Sequence, residues 1–182
     1  QLEEYLKNKE KLSDMSAQKD EIVIKDLSEK IIKLGGKPSL ENKDQKVLIK
    51  DLSKQLEQLS VKSVLEDKSK NIIKDVTVNG TKVRFQKVKD LPPKDLRKLV
   101  DLGKKEIGDG IIIVFANKDD KVGLAIGVTE NLTEKYDAVK FAKIGSEIID
   151  GKGGGGRKDF AQAGGQNVDK IDEAFTKLKD LI

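Results

Sequence analysis

The sequence contains neither cysteine nor histidine among its 182 residues. Disulfides, thiol nucleophiles, Cys/His zinc sites and histidine-based catalytic dyads or triads are therefore excluded. Tryptophan is also absent and aromatic residues make up only 4% of the chain, which argues against base stacking across an aromatic sheet. These absences predict a chain that has no catalytic site of its own.

Long apolar runs are missing as well. No stretch approaches the roughly 20 apolar residues that cross a membrane, and no signal-peptide pattern is present. We therefore expect a cytoplasmic protein with no membrane partner. Gln1 stands where a full-length chain would have Met, and a helical pattern follows at once, so we expect an excised piece of a longer protein.

The composition is unusually polar. Hydrophobic residues account for 36% and charged residues for 37%, compared with about 45–50% and 25% in typical domains. One compact core does not explain this balance, so part of the molecule should be elongated. The net charge of +4 permits nucleic-acid binding without requiring it. One local run is strongly basic and comprises Lys82, Arg84, Lys87, Lys89, Lys94, Arg97 and Lys98.

The first part of the chain has helical periodicity. Apolar residues over 2–33 recur mostly at three-, four- and seven-residue separations, which predicts one amphipathic helix. Gly35, Gly36 and Pro38 end it, and a second helix is predicted over about 44–73. Residues 1–74 should form a coiled-coil-like antiparallel helical hairpin. Its leucine stripe is a candidate dimerisation surface, with packing inside the chain as the alternative; the stripe comprises Leu48, Leu52, Leu56 and Leu59.

The period changes from Asp75 onwards. Val76, Val78, Val83 and Phe85 alternate with polar residues around Asn79-Gly80, a strong β-hairpin signal. The buried strand expected at 111–116 is followed by a neighbouring strand at 122–128. Residues 75–182 should therefore form a small globular domain, α+β or α/β in class, in which helices pack on a mixed β-sheet. Its helices are predicted over about 94–107, 134–149 and 167–181.

A glycine-rich stretch, 151–165, lies near the C-terminal end, and seven of its fifteen residues are glycine. We predict a loop over 151–157, where the backbone can approach a ligand closely. Lys152, Arg157 and Lys158 could meet an anion there together with backbone N–H groups; the alternative is a flexible linker. The stretch fits neither a dinucleotide-binding motif nor a P-loop, because a helix precedes it and Gly153 follows Lys152.

The stretch Lys-Gly-Gly-Gly-Gly-Arg-Lys-Asp-Phe-Ala-Gln-Ala-Gly-Gly, residues 152–165, resembles the signature of the C-terminal domain of alanyl-tRNA synthetases. DHH-family phosphoesterases share this domain. The resemblance covers about residues 75–182 and extends to 1–74 only through general helical character. It implies a non-catalytic module that binds the outer corner of tRNA, helps to link aminoacylation with editing, and dimerises through its helical part.

The resemblance places ATP, magnesium and zinc in domains that this chain lacks, so no cofactor is expected here. It also implies two partners, which are alanine-specific tRNA and a second copy of this chain in a homodimer. Two alternatives stay open: the substrate-binding half of a DHH-type phosphoesterase, and a coiled-coil dimerisation module without RNA binding. The candidate tRNA-binding residues are Lys152, Gly153, Gly154, Gly155, Gly156, Arg157, Lys158, Gln162, Lys82 and Arg84.

Overall fold

A computed structural model describes residues 2–182, and the chain divides into two compact units between Ser63 and Val64. The first unit contains α1 (Leu2–Lys33) and most of α2 (Gln45–Glu66). The helix predicted over 2–33 is confirmed. Helix α2 begins where the side chain of Asp44 accepts hydrogen bonds from the backbone N–H groups of Lys46 and Val47, at 2.9 and 3.2 Å.

The helical unit has a small core of its own. Ile31, Leu48 and Leu52 are buried together. Leu56 and Leu59 pack against them, so all four leucines of the predicted dimerisation stripe contribute to packing inside the chain. Other apolar side chains of α1 are exposed, and they include Leu2, Tyr5, Leu6, Leu12, Met15 and Ile22.

Residues 34–44 connect α1 to α2. Gly36 lies against Leu59, late in α2. The Gln55 amide donates to the carbonyl oxygen of Lys37 at 2.7 Å and accepts from the N–H of Ser39 at 3.2 Å. The segment after α1 therefore runs along α2 before the chain enters that helix, and backbone groups that no helix satisfies are paired by Gln55.

Helix α2 ends at Glu66, so the prediction of a helix over 44–73 is wrong for its last residues. Ile72 and Ile73 belong instead to strand β1 (Asn71–Val78). The predicted hairpin at Asn79-Gly80 is confirmed, since these residues have φ angles of 47° and 80° and join β1 to β2 (Thr81–Lys89).

Over residues 64–182 the structure forms one mixed six-stranded sheet with the order β1-β2-β3-β4-β6-β5. Strands β2 and β3 run parallel and every other neighbouring pair is antiparallel. The predicted α+β class is confirmed. The remaining elements are α3 (Leu96–Ile107), β3 (Ile111–Lys118), β4 (Lys121–Val128), α4 (Ala138–Ile148), β5 (Gly154–Arg157), β6 (Phe160–Gly165) and α5 (Ile171–Lys179).

Helices cover both faces at the centre of the sheet. Helix α3 packs on β3 and β4 from one side, while α4 and α5 pack from the other. Strand β3 is consequently buried on both faces from Ile111 to Ala116, as its continuous apolar run predicted. Helix α4 begins at Ala138, four residues later than predicted, because the carboxylate of Asp137 accepts a hydrogen bond from the N–H of Val139 at 2.9 Å.

Candidate functional site

The glycine stretch forms a β-hairpin at the edge of the sheet. Strand β5 pairs antiparallel with β6, and Lys158 and Asp159 make the turn between them. The prediction of a loop over 151–157 is therefore wrong from Gly154 onwards. Glycine has low strand propensity, but the neighbouring strand β6 is itself held by β4 and supplies the backbone partners that β5 needs.

Most of these glycines are required by the hairpin itself. A Cβ atom added to Gly154 would overlap the carbonyl oxygen of Gln162, and one added to Gly156 would overlap that of Phe160. Gly155 differs, because a Cβ atom there would meet nothing within 4 Å and the residue is exposed. The bare backbone at Gly155 is thus not explained by packing within the chain.

The start of the hairpin is fixed by Ser146, a fully buried residue of α4. Its hydroxyl donates to the carbonyl oxygen of Gly164 at 2.9 Å and accepts from the N–H of Gly153 at 3.1 Å. Gly153 has a φ of 97°, which favours glycine. A Cβ atom on Gly151 would overlap both Ser146 and Gly164. Ser146 was not among the predicted site residues, and its only signal in the sequence is a hydroxyl five residues before Gly151.

The turn of the hairpin is held as firmly as its start. The backbone N–H of Ala138 donates to the carbonyl oxygen of Lys158 at 3.0 Å. The carbonyl oxygen of Asp159 accepts from the N–H of Val128 and from the Lys104 ammonium, both at 2.9 Å. Burial lowers the pKa of Lys104. The glycine-rich segment is therefore a positioned element rather than a flexible linker.

One face of the hairpin is covered and the other is not. Phe160 stands opposite Gly127, where an added Cβ atom would meet Val100 of α3, so these residues share the α3 side of the sheet. Gln162, two residues further along, lies on the same side. The opposite side carries Ala161, which is fully buried in the core formed with α4. Within residues 64–182, α3 packs mainly on β3 and β4 and leaves its side of the hairpin open.

Cations border this open side. Arg157 stands opposite Phe160 in the ladder and its side chain is 72% exposed, with Nε 3.2 Å from a carboxylate oxygen of Asp159. Arg97 reaches over from α3, and its Cζ lies 4.9 Å from the centre of the Phe160 ring. Lys104 lies beside them. We call this surface the glycine face and define it by Arg97, Lys104, Gly155, Arg157, Phe160 and Gln162.

Lys152 and Lys158, which were predicted to act together with Arg157, lie at different ends of the hairpin. Lys152 precedes β5 and lies five residues from Arg157, a distance of about 16 Å along an extended strand. Lys158 occupies the turn, where it borders a groove shared with Arg157 and a second groove shared with Lys140. Lys158 is therefore adjacent to the glycine face, whereas Lys152 marks the far end of the hairpin.

The two predicted residues on β2 lie elsewhere. Four strand spacings, about 19 Å, separate β2 from β5 in the sheet. Lys82 is exposed there, but Arg84 is buried. The Arg84 guanidinium donates to the carboxylate of Asp75 at 2.8 and 2.9 Å and to that of Glu106. It lowers the pKa of Asp75. Arg84 ties β2 to β1 and α3, so it is not available as an RNA contact.

Among residues 2–182 no group of three or more Asp or Glu side chains is placed to hold a metal ion. Within the same range, no helix is long and apolar enough to cross a membrane.

Comparison with known proteins identifies the fold of the second unit. The model of the DHHA1 domain family matches residues 80–182, more than half of the chain. The chain belongs to the DHHA1 domain family. The matched range includes every residue of the glycine face. Strand β1 precedes the DHHA1 domain in sequence, although it completes the sheet.

The chain also has relatives among alanine–tRNA ligases. That of Parvibaculum lavamentivorans is 43% identical over 104 residues, 57% of this chain and 12% of that protein. That of Paramagnetospirillum magneticum is 42% identical over 106 residues, covering 58% and 12%. The chain therefore spans about an eighth of the length of these relatives.

A solved structure is also similar to this chain. The C-Ala domain of alanyl-tRNA synthetase from Aquifex aeolicus has a TM-score of 0.56 and 30% sequence identity, over 59% of this chain and 96% of that one. The resemblance to the C-terminal region of alanyl-tRNA synthetases, predicted from residues 152–165, is confirmed.

Proposed function

We propose that this chain is the tRNA-binding C-terminal module of an alanine–tRNA ligase and that it contacts folded tRNA through the glycine face and the adjacent Lys158. The observation that carries the proposal is the open, cation-bordered side of the β5–β6 hairpin. Its backbone is exposed at Gly155 and its two ends are fixed by hydrogen bonds. The names of the relatives support the choice of tRNA as the RNA.

The chemistry of the face suits RNA recognition by shape. Folded RNA presents phosphates and 2′-hydroxyls more readily than the edges of paired bases. Arg157 and Lys158 can neutralise phosphates, and the bare backbone at Gly155 allows the sugar–phosphate chain to approach. Because β5 and β6 are held at the turn and at the start, little ordering entropy is lost on binding.

In this proposal the chain supplies binding and no catalysis. The resemblance implies that aminoacylation and editing belong to other parts of the ligase, and a module that holds the tRNA would help both centres to act on one molecule. The alanine-specific tRNA is the partner we infer. The alternative hypothesis, the substrate-binding half of a DHH-type phosphoesterase, has less support because the relatives named above are alanine–tRNA ligases.

Fluorescence anisotropy of labelled alanine tRNA at two or more salt concentrations tests the proposal. Two phosphate contacts worth about 1 kcal/mol each correspond to roughly 30-fold in affinity. We therefore expect the double variant Arg157→Ala and Lys158→Ala to bind about 10- to 30-fold more weakly. The slope of log affinity against log salt concentration should also become less steep, by about 0.9 for each lost phosphate contact.

A matched pair of exposed lysines provides the control. Lys121 begins β4 at the opposite end of the sheet and Lys177 lies on α5. Lys121→Ala with Lys177→Ala removes the same charge and should leave the affinity and the salt dependence nearly unchanged. Equal losses in the two double variants would show that net charge alone drives binding and would refute the glycine face as the contact surface.

A further inference from the structure

Arginine is rare in this chain, since only Arg84, Arg97 and Arg157 appear among its 36 cationic side chains. Arg97 and Arg157 belong to the glycine face. Arginine differs from lysine in having a planar guanidinium that stacks on flat groups, so its use in a lysine-rich chain points to geometry rather than charge. Arg84 supports this distinction, because it pairs with two carboxylates through its forked donors.

Arg97 has a different environment from the other two. Within residues 2–182 no carboxylate pairs with it, and its Cζ lies over the Phe160 ring, 4.9 Å from the ring centre. Arg97 is nevertheless exposed, so a guanidinium held on one side by an aromatic ring is open to solvent on the other. Such a pair is a preformed stacking surface whose side-chain entropy has already been reduced.

The ground beside this pair is flat and polar. Gln162 lies two residues from Phe160 on the same face, about 7 Å along the strand. Its amide makes no hydrogen bond with another described residue. Gly155 stands opposite it and leaves open space where a side chain would project. An amide with unused donors and acceptors next to a stacking surface can recognise the edge of a flat heterocycle.

We propose that the glycine face takes one unstacked nucleobase of an RNA, which stacks on the Arg97–Phe160 pair and presents its edge to Gln162. Arg157, opposite Phe160 in the ladder, holds the adjacent phosphate. Single-stranded and looped RNA is commonly bound through bases stacked on aromatic rings or guanidinium planes. This inference rests on the proposed function in requiring that RNA reaches the glycine face, and it adds a base-stacking contact to the phosphate contacts above.

The test measures binding of the full chain to a single-stranded RNA of ten nucleotides and to the same RNA with abasic sites. Arg97→Lys keeps the charge and removes the plane, while Phe160→Leu keeps an apolar side chain and removes the ring. Each variant should weaken binding to the intact RNA about fivefold or more, the factor expected for one stacked base. Neither should affect binding to the abasic RNA, which the parent chain should bind as weakly as the variants bind the intact RNA.

A fluorescent base gives an independent readout. With 2-aminopurine in the oligonucleotide, stacking on Arg97 and Phe160 should quench its emission in the parent chain and not in Arg97→Lys. Circular dichroism and urea unfolding of each variant establish that the hairpin is intact. Equal affinity of Arg97→Lys and the parent, together with equal affinity for intact and abasic RNA, would overturn the stacking proposal and leave Arg97 as a plain cation.

The outcomes separate this inference from the proposed function. Salt-sensitive binding of folded tRNA with no effect of Arg97→Lys on either RNA would keep the tRNA module and overturn the stacking contact. Base-dependent binding of the oligonucleotide without binding of folded tRNA would support the stacking contact and refute the tRNA module. A chain that binds neither RNA would refute both.

Discussion

Replacing either of two neighbouring glycines in β5 by alanine should affect a different property of the chain. A Cβ atom on Gly154 would overlap the carbonyl oxygen of Gln162 and lie 2.5 Å from the Cβ of Ala163, so the two strands must move apart. A Cβ atom on Gly155 would meet nothing within 4 Å. Gly154→Ala therefore tests the packing of the hairpin, and Gly155→Ala tests the use of its open face.

The expected magnitudes follow from these contacts. Overpacking of a well-packed site costs about 1–3 kcal/mol, and at a urea m-value of about 2 kcal/mol/M this lowers the midpoint of unfolding by roughly 0.5–1.5 M. Gly155→Ala should change the free energy of unfolding by no more than about 0.5 kcal/mol in either direction. Its methyl group would instead stand between the backbone and the RNA and weaken binding about 3- to 10-fold. The larger side chain of Gly155→Val should weaken RNA binding further.

Near-UV circular dichroism in urea can follow the globular unit, because Tyr136 is 6% exposed and Tyr5 of α1 is 63% exposed. The absence of tryptophan makes Tyr136 the main reporter of tertiary packing. Anisotropy with labelled tRNA then gives the affinity of each folded variant. If Gly155→Ala and Gly155→Val both bind like the parent chain, the bare backbone at that position is not a contact, and the reasoning about the glycine face fails there.

Two further predictions concern residues that the structure assigns to stability. Arg84→Met should lower the free energy of unfolding by about 1–3 kcal/mol, since it leaves Asp75 and Glu106 without their partner, and should leave RNA affinity unchanged at a temperature where the variant is folded. Arg84 lowers the pKa of Asp75 in the folded state from 3.8. The stabilisation by this pair should therefore be present above about pH 4 and be lost as the pH falls through the lower folded-state pKa. If the free energies of unfolding of the parent and Arg84→Met differ more in acid than at neutral pH, this prediction is wrong. Leu52→Ala should destabilise the helical unit by about 2–4 kcal/mol, measured at 222 nm, and leave the sedimentation mass unchanged; a drop in mass would show instead that the leucine stripe joins two chains.

The parts of the fold with a clear period could be predicted from the sequence. The stripe over 2–33 gave α1 with its observed bounds, and Asn79-Gly80 fixed the register of the first hairpin. That register, counted outward from the turn, also places Asp75 opposite Arg84. The sequence therefore held the signal that Arg84 has a carboxylate partner, although its burial depended on α3 as well.

In other parts of the chain the spacing of apolar residues does not identify the secondary structure. Ile72 and Ile73 continue the apolar spacing of α2, yet both are about half exposed on an edge strand. Strands β5 and β6 consist largely of glycine and alanine, which show no alternation of apolar and polar residues. Arg97 lay within the predicted basic run, but its contact with Phe160 arises only because α3 packs across β3 and β4.

The net charge of +4 does not describe the local charge that an anion meets at the glycine face. Many cations elsewhere are already paired with carboxylates, as Lys70 is with Asp90 at 2.7 Å. On the glycine face Arg97 has no such partner among the described residues, and burial disfavours the charge on Lys104. A phosphate arriving there would meet the Arg97 guanidinium without a competing carboxylate among the described residues. The placement of a few charges beside a fixed, bare backbone, rather than their total, is what makes this edge of the sheet suited to RNA.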